Sequence, residues 1–432
     1  VRLLLLTHSY LPERTPPQRR WQAFVRSFRE AGWEVDVVVP EPDAGAVPAT
    51  ARAAGRAPAG GAGEPVRSSR PGRAAVGPVG ERIWRTPRIR RLDATRDGRF
   101  LGHVVHALAA IPVALRAKAP DIVVVTVPAL PTVVAGWAVS RLRRRPLVVE
   151  MRDAWPDLAR ESGAAPGSLS RLMEALVTGT QRAADLVVTV TQGFGDRLAE
   201  RGVGPVAVVG NGVELADIEA LPQRERPAGE LHVLYLGNHG ESQGLETVIR
   251  AAALLRSGPE RIEVRLVGSG TRRRELEELN DALGRPVTML GPVHGRALRE
   301  QYEWADTCVV ALRPDWPSFA WTIPSKTYEL LAVGRHVTGL VTGEAAGVLA
   351  ASGAADLAEA EPGAVAALWR RLAADPAATR TDGSGRHWIA DHADLPVLGW
   401  RFVDLATAVA REAAPRGAGA GGGVGHTEAP GL

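Results

Sequence analysis

Short, nearly uninterrupted apolar runs recur along this chain, each ending in a polar or glycine-rich loop and each followed by an amphipathic stretch. This alternation constrains the fold more than any other feature. Arg2 to Thr7, Glu34 to Pro40, Asp121 to Val127, Pro146 to Met151, Leu186 to Val190 and Val206 to Val209 are such runs. A strand buried on both faces reads this way, and parallel neighbours need helical crossovers between them. Helices are predicted over Trp21 to Ala31, about Phe100 to Arg116, up to Leu142, Ser168 to Ala184 and Gly193 to Glu200. After the polar, proline-containing Ala220 to Glu230 the alternation begins again, with strands at Leu231 to Leu236, Ile262 to Val267, Val287 to Leu290, Thr307 to Leu312 and His336 to Leu340. The expectation is an α/β protein of two doubly wound domains, with ligands at the carboxyl ends of the strands.

The predicted limits are residues 1–220 for the first domain, 221–396 for the second, and 397–412 for a last helix long enough to cross back to the first domain. Residues 41–80 are Ala, Gly, Pro and Arg without a period, and 413–432 are rich in Gly and Ala. Neither segment can bury enough apolar surface to offset its ordering entropy, so both are expected to be disordered. The arginines of the first lack interleaved aromatics, so no nucleic-acid partner is expected.

A chain of 432 residues with 45% apolar and 23% charged residues has ample material for two cores. Its single cysteine, Cys308, lies in the apolar run Thr307 to Leu312 and permits no internal disulfide, so a reducing, cytoplasmic setting is expected. The apolar start Val1 to Thr7 reads as a strand and not as a signal peptide. Leu101 to Leu115 is interrupted by His103, His106 and Pro112 and is too short to span a membrane. The Arg141 to Arg145 cluster suits a helix end in water, with anionic lipid headgroups as the other partner it can meet.

The stretch Ile323-Pro-Ser-Lys-Thr-Tyr-Glu-Leu-Leu-Ala-Val-Gly-Arg-His336 carries the functional signal. Pro324 and Ser325 start a helix and Gly334 closes it, so its N-terminal amides point out of a loop. That end attracts an anion such as a pyrophosphate, and Lys326, which with Lys118 makes up the chain's two lysines, adds a full charge. Glu329, one turn on, can accept hydroxyl hydrogen bonds from a ribose. A solvated Lys–Glu surface pair is the plain alternative reading. The loop Gly237-Asn-His-Gly-Glu-Ser-Gln-Gly244 follows a strand and precedes a helix, so both loops are predicted at one sheet edge. Arg152-Asp-Ala-Trp-Pro156 ends a strand of the first domain, and Gly210-Asn-Gly-Val213 is a turn through which backbone can approach closely. No catalytic triad, zinc signature, Walker A or Asp-x-Asp is present, and the ten histidines show no metal-ligand spacing. No metal or resident cofactor is expected.

Taken together, Gly237 to Leu245, Pro324-Ser-Lys-x-Tyr-Glu329, Arg152-Asp-x-Trp-Pro156 and Asn211-Gly-Val213 resemble glycosyltransferase family 4. The closest resemblance is to its branch of bacterial polysaccharide amino-sugar transferases of N-acetylfucosamine type. The resemblance implies a GT-B fold, two Rossmann-like domains facing across a cleft. It further implies retaining transfer of a sugar, in this branch an N-acetylated one, from a nucleoside diphosphate to a small or lipid-linked acceptor. Carried over by position, Glu329 binds the donor ribose, and Lys326 and Ser325 hold the pyrophosphate. Gly237, Asn238, His239, Gly240 and Gln243 line the pyrophosphate's other side, and Pro292 and Val293 meet the base. Tyr10, Arg14, Arg20, Arg152, Asp153 and Trp155 face the acceptor, with Asp153 beside Lys326 and Glu329 in the catalytic set. A cytoplasmic enzyme, peripheral to the inner face of the membrane, follows. The sequence departs from the family pattern at Trp321, eight residues before Glu329, which stands in place of the first of the family's usual pair of acidic residues. It also departs at Asn238 and Gln243, where basic residues are common, and at Thr15-Pro16-Pro17, where glycines are expected. A degenerate nucleotide-binding partner subunit is therefore the alternative. An epimerase or phosphorylase of the same fold is a weaker one, since Lys118 precedes a strand.

Overall fold

The computed structural model describes residues 1–13, 15–42, 74–89, 91–92, 96–127, 129–152, 157 and 168–413. The first apolar runs form β1 (Arg2–Leu6), β2 (Glu34–Pro40), β5 (Ile122–Thr126), β6 (Leu147–Met151), β7 (Leu186–Thr189) and β8 (Val206–Val208), and the more polar Arg82–Thr86 adds β4. With β3 (Ala74–Val76) they make an eight-stranded sheet in the order β3-β4-β2-β1-β5-β6-β7-β8. Every pairing is parallel except that of β3 with β4. Registers such as Leu3↔Val35 and Leu5↔Val124 bring apolar residues into line, so both sheet faces are available to helices.

β3 corrects the expectation that 41–80 is wholly without order. Residues 43–73 lie outside the described residues, but Ala74–Val76 pairs antiparallel with Arg82–Trp84. The turn between them closes through Gly77 N–H to Glu81 O at 2.8 Å. The fully buried Glu81 carboxylate accepts from the Val79 amide at 3.0 Å and from the Tyr10 hydroxyl at 2.9 Å. A segment too poor in apolar residues to order itself is thus held by one buried acid. The tail expected at 413–432 lies, from residue 414 on, outside the described residues.

The second series gives β9 (Glu230–Asn238), β10 (Arg261–Ser269), β11 (Thr288–Leu290), β12 (Thr307–Ala311), β13 (His336–Leu340) and β14 (Ala355–Leu357), all parallel. Their order, β11-β10-β9-β12-β13-β14, reverses direction between β9 and β12. In such sheets the crevice for a ligand opens at that reversal, outside the carboxyl ends. In the first sheet the corresponding point lies between β1 and β5. Cys308 is buried in β12, and burial pushes its thiol up to about 12.

The chain leaves the first domain at Val209, which belongs to that domain's core, and by Leu221 it is packed in the core of the second. The glycines of the intervening turn have a definite use. A Cβ on Gly212 would stand 2.0 Å from the Ala393 carbonyl oxygen, because the returning chain passes against it. Val213 N–H donates to Ala393 O at 3.0 Å and Leu395 N–H to Val213 O at 2.9 Å. Leu395–Glu412 is the returning helix. Its Leu398, Phe402, Val403 and Ala406 pack with Trp21, Phe24 and Phe28 of the helix Pro16–Glu30, so the last helix belongs to the first domain's core.

The domains also meet at the start of the helix Gln192–Glu200. The Glu344 carboxylate, from the second domain, accepts the free amides of Gln192 at 3.1 Å and Gly193 at 2.5 Å, as a cap would. Thr191 Oγ1 donates to the Trp321 carbonyl at 2.7 Å. A Cβ on Gly193 would lie 2.9 Å from both Glu344 Oε1 and Trp321 Cβ. Glu344→Ala removes the cap at a cost of ~1 kcal/mol, and Gly193→Ala displaces it by contact. Both variants are expected to raise the radius of gyration in small-angle scattering with circular dichroism unchanged. An unchanged radius in both would mean that the domains are held together elsewhere.

Candidate active site

The helix Ser325–Val333 starts at Pro324 with no side-chain cap. Thr327 N–H reaches Pro324 O at 2.9 Å, while Ser325 stands exposed at the helix start. Tyr328, Leu330, Leu331, Ala332 and Val333 are buried, which fixes the helix against the core, and Gly334 ends it at φ +84°. Lys326 and Glu329 are therefore left on its open side, each 31% exposed. Lys326 Nζ lies 3.1 Å from Glu329 Oε2, and Tyr302 donates its hydroxyl to Glu329 Oε1 at 2.7 Å. Tyr302 is buried, and burial together with the adjacent Glu329 charge holds its hydroxyl protonated. Glu329 is thus oriented by a neutral donor on one oxygen, and its other oxygen pairs with the Lys326 cation. Sequence reasoning missed Tyr302, because nothing local links it to a carboxylate 27 residues later.

The glycine-rich loop stands at the end of β9. Gly268 and Gly270, at the end of β10, allow it to close down: a Cβ on Gly268 would sit 1.8 Å from Gly237 O, and one on Gly270 2.4 Å from His239 O. His239 is fully buried beneath the loop, with its N–H bonded to Ser269 O at 2.8 Å and its carbonyl accepting from Arg272 N–H at 2.9 Å. Burial, reinforced by Arg273, lowers the imidazole to about 4, so it is neutral. Asn238 is exposed, and its carbonyl accepts from Tyr235 Oη at 2.7 Å. Gln243 folds back, its Oε1 accepting from Gly240 N–H at 3.1 Å. Of this loop's expected ligand residues, then, His239 and Gln243 shape it and Asn238 faces outward. Arg313, at the end of β12, joins the two strand ends across the sheet reversal: it pairs with Glu241 at 2.9 Å, and its N–H reaches Ser242 O at 2.9 Å. Pro292 is exposed and Val293 half-buried after β11.

In the first domain the expected acceptor residues divide. Arg14, Asp153 and Trp155 lie outside the described residues. Tyr10 and Arg20 are core groups, which corrects their placement on an acceptor-facing loop. Tyr10 is fully buried with its hydroxyl on Glu81, and Arg20, 2% exposed, is occupied on all sides. Its Nε bonds Glu150 Oε1 at 2.8 Å, its Nη2 reaches Val209 O at 2.8 Å and its Nη1 bonds Gly210 O. Glu150 also takes Trp21 Nε1 at 2.8 Å and Thr126 Oγ1 at 2.5 Å. A polar loop and an amphipathic helix look alike whether their Tyr and Arg point inward or outward, and the partners are far away in sequence. Arg152 is half-buried at the sheet edge. The loop after β1 is tied down by Ser9, whose Oγ bonds Glu13 Oε2 at 2.7 Å, and by Arg88 on the other oxygen at 3.3 Å.

His8, at the end of β1, packs edge-on against His103 at 4.2 Å and His106 at 5.4 Å between centroids. Burial, then the two neighbouring rings, pulls His8 down to about 2, so its imidazole is neutral. Among the described residues no group of His, Cys, Asp and Glu is arranged to hold a metal ion.

Residues 17–212 match the family described as a glycosyl transferase 4-like domain, and residues 230–375 match glycosyl transferases group 1. Over 242 residues the chain is 28% identical to a protein named for colanic acid biosynthesis, the glycosyl transferase WcaI of Escherichia coli. Over 171 residues it is 30% identical to the phosphatidyl-myo-inositol mannosyltransferase of Propionibacterium freudenreichii. These matches cover 52% and 36% of this chain, and 58% and 42% of the relatives, so the chain spans less than two thirds of either relative's length. The crystal structure of Anabaena HepE in complex with UDP matches with a TM-score of 0.64 at 14% identity, over 94% of this chain and 100% of that one. That likeness identifies the fold as GT-B.

A Lys–Glu pair with this much exposure contributes ~0.2–1 kcal/mol to stability. Lys326→Ala is therefore expected to move the melting temperature by no more than a few degrees while weakening the binding of inorganic pyrophosphate at least tenfold. Calorimetry and titration on the same preparation check this. A loss of stability that accounts for the whole loss of binding would make Lys326 structural.

Proposed function

The chain belongs to the glycosyltransferases through both of its domains, and on that premise we propose that it is a retaining transferase acting on a nucleoside diphosphate sugar. The observation that carries the reading is the partly exposed Lys326–Glu329 pair on successive turns at the start of a helix at the carboxyl edge of the second sheet. A donor diphosphate draws Lys326 off Glu329 and meets the uncapped amides at the helix start. The freed Glu329 oxygen then accepts from the ribose, while Tyr302 keeps the carboxylate in place. Asn238 and the exposed side of the Gly237–Gly240 loop face the diphosphate from the β9 end, and Pro292 and Val293 flank the base. The uridine nucleotide bound by the Anabaena neighbour makes a uridine diphosphate sugar the first donor to test. The amino-sugar branch makes an N-acetylated one the first choice.

In the transfer the bond from the anomeric carbon to the phosphate oxygen breaks, and its electron pair leaves with the diphosphate. The acceptor oxygen attacks from the same face, and its proton passes to the departing phosphate oxygen. Lys326 and the helix amides stabilise the charge that develops there. Arg152 stands at the end of β6 on the acceptor side, where orienting one hydroxyl is the main task, and the family resemblance gives Asp153 and Trp155 the same task. No metal or resident cofactor enters this scheme. The colanic acid relative suggests a cell-surface polysaccharide as the product class.

A peripheral membrane contact belongs to the same reading. The neighbouring helices Arg96–Ala114 and Leu130–Arg143, with Leu115 just past the first of them, expose Leu101, Leu108, Leu115, Trp137 and Leu142 by 38–64%, next to the cations of Arg141 to Arg145. Apolar side chains flanked by arginines suit an anionic bilayer surface. No helix among the described residues is long and apolar enough to cross a membrane.

A panel of nucleotide sugars tests the activity. Diphosphate release by the wild type, reduced at least a hundredfold in Glu329→Ala at unchanged melting temperature, is the expected result. The product's anomeric configuration is to be read by proton NMR. Tight nucleotide binding with no release from any donor would defeat the proposal. For the membrane contact, Leu108→Glu is expected to reduce cosedimentation with vesicles containing phosphatidylglycerol, and neutral vesicles should bind neither protein.

A further inference from the structure

The contact between the domains at the start of the helix Gln192–Glu200 has two prongs, and one of them is the side chain of Trp321. Its ring packs against an apolar core of the first domain in which every other residue belongs to that domain. Its Cβ lies so near the first turn of the helix that a Cβ on Gly193 would stand 2.9 Å away. Thr191, just past the end of β7, donates its hydroxyl to the Trp321 carbonyl. Glu344, the other prong, caps the Gln192 and Gly193 amides. The two prongs belong to one corner of the second domain. Gly343, at φ +59°, stands so close to the preceding turn that a Cβ there would lie 1.9 Å from Ala320 O, so the start of the helix Gly343–Ser352 is seated on Ala320 and Trp321.

One atom of this joint is left unsatisfied. Trp321 Nε1 is shielded from water and has no hydrogen-bond partner. A buried N–H in that condition is costly, and a buried indole ordinarily finds an acceptor. In this chain Trp21, Trp84 and Trp369 each donate to a side-chain oxygen, of Glu150, Asp36 and Thr338 respectively. Trp321 packs without one. Docking therefore gains apolar burial and two capped amides but strips one N–H of its hydration, which parting of the joint restores. Favourable and unfavourable contributions oppose each other within a single side chain. A permanent seam would be served better by a satisfied donor, whereas a contact that must form and break repeatedly needs this balance.

We propose that Trp321 and Glu344 form a releasable latch between the domains. The apolar face of the indole and the capped amides hold it shut, and the unpartnered N–H biases it to open. The latch ties the carboxyl end of β7 to the turn after β12 and the helix after β13. Its release governs how far the cleft opens to admit or discharge a ligand. The latch itself is independent of the transferase reading above, and its effect on nucleotide passage rests on that reading.

Hydrogen exchange of the whole chain reads the latch directly. The first amides of a helix have no partner within it, so Gln192 and Gly193 are protected while Glu344 covers them. Trp321→Phe keeps an apolar ring without the N–H and is expected to slow exchange at these two amides at least threefold. Trp321→Ala removes the ring and is expected to speed it at least tenfold, with the β7 amides unchanged in both variants. Exchange in Trp321→Phe at or above the wild-type rate, or no change in Trp321→Ala, overturns the latch and makes Trp321 a fixed part of the interface. Should Trp321→Ala also loosen β7, the Phe variant alone decides. The second readout is the rate at which a fluorescent UDP analogue leaves the protein. Release at least threefold slower from Trp321→Phe and threefold faster from Trp321→Ala ties the latch to ligand passage. Equal release from all three overturns that consequence. Failure of the wild type to bind the analogue removes the transferase premise and leaves the exchange measurement to decide the latch.

Discussion

One carboxylate without access to water, Glu150, sets the geometry of the first domain. It gathers an arginine and a tryptophan from the helix after β1 and a threonine from β5, and through Arg20 it reaches the carbonyls of Val209 and Gly210. These last two residues are where the chain departs for the second domain. The same interaction that seats the first helix on its sheet thus fixes the direction in which the chain leaves. Burying two charges is costly, and taking away one partner of such a pair leaves the other stranded, at a cost of about 3–5 kcal/mol. The arrangement persists because each remaining lone pair and N–H of the two groups is satisfied.

The second domain solves a different problem. On the proposed reading its carboxyl edge presents open amides and the Lys326 cation, so it cannot be filled with side chains. Glycines at 268 and 270 bring strand ends within contact distance, and the neutral His239 fills the space under the loop without adding charge. Arg313 ties the loops at the ends of β9 and β12 across the sheet reversal, where the two strands diverge. Rigid support below and unfilled hydrogen-bonding capacity above are the conditions a diphosphate needs.

Much of this was legible in the sequence because it depends on local pattern. Buried parallel strands have a continuous apolar signature, so the doubled doubly wound plan and the returning helix follow from the runs themselves. The start of the helix at Ser325 and its end at Gly334 are also local, and their positions agree with the structure. What sequence could not show is orientation settled by distant partners. Tyr10 and Arg20 occupy a polar stretch, yet Glu81 and Glu150, 71 and 130 residues away, draw them inward. Glu150 looked like one polar interruption in a strand, and Tyr302 like one more aromatic on a helix. β3 was hidden because Ala-Ala-Val carries too weak a signal to stand out from its surroundings, and it is ordered only by a neighbour's hydrogen bonds.

The chain passes between the domains twice, at Gly210 to Val213 and at Ala393 to Leu395, and the two passages run side by side with backbone bonds between them. Two adjacent tethers act mechanically as the leaves of a single hinge. Sliding of one domain past the other would shear those bonds, whereas rotation about the line they define disturbs them little. The cleft is therefore built to open and shut like a bivalve, with the carboxyl edges of the two sheets meeting in the same alignment at every closure.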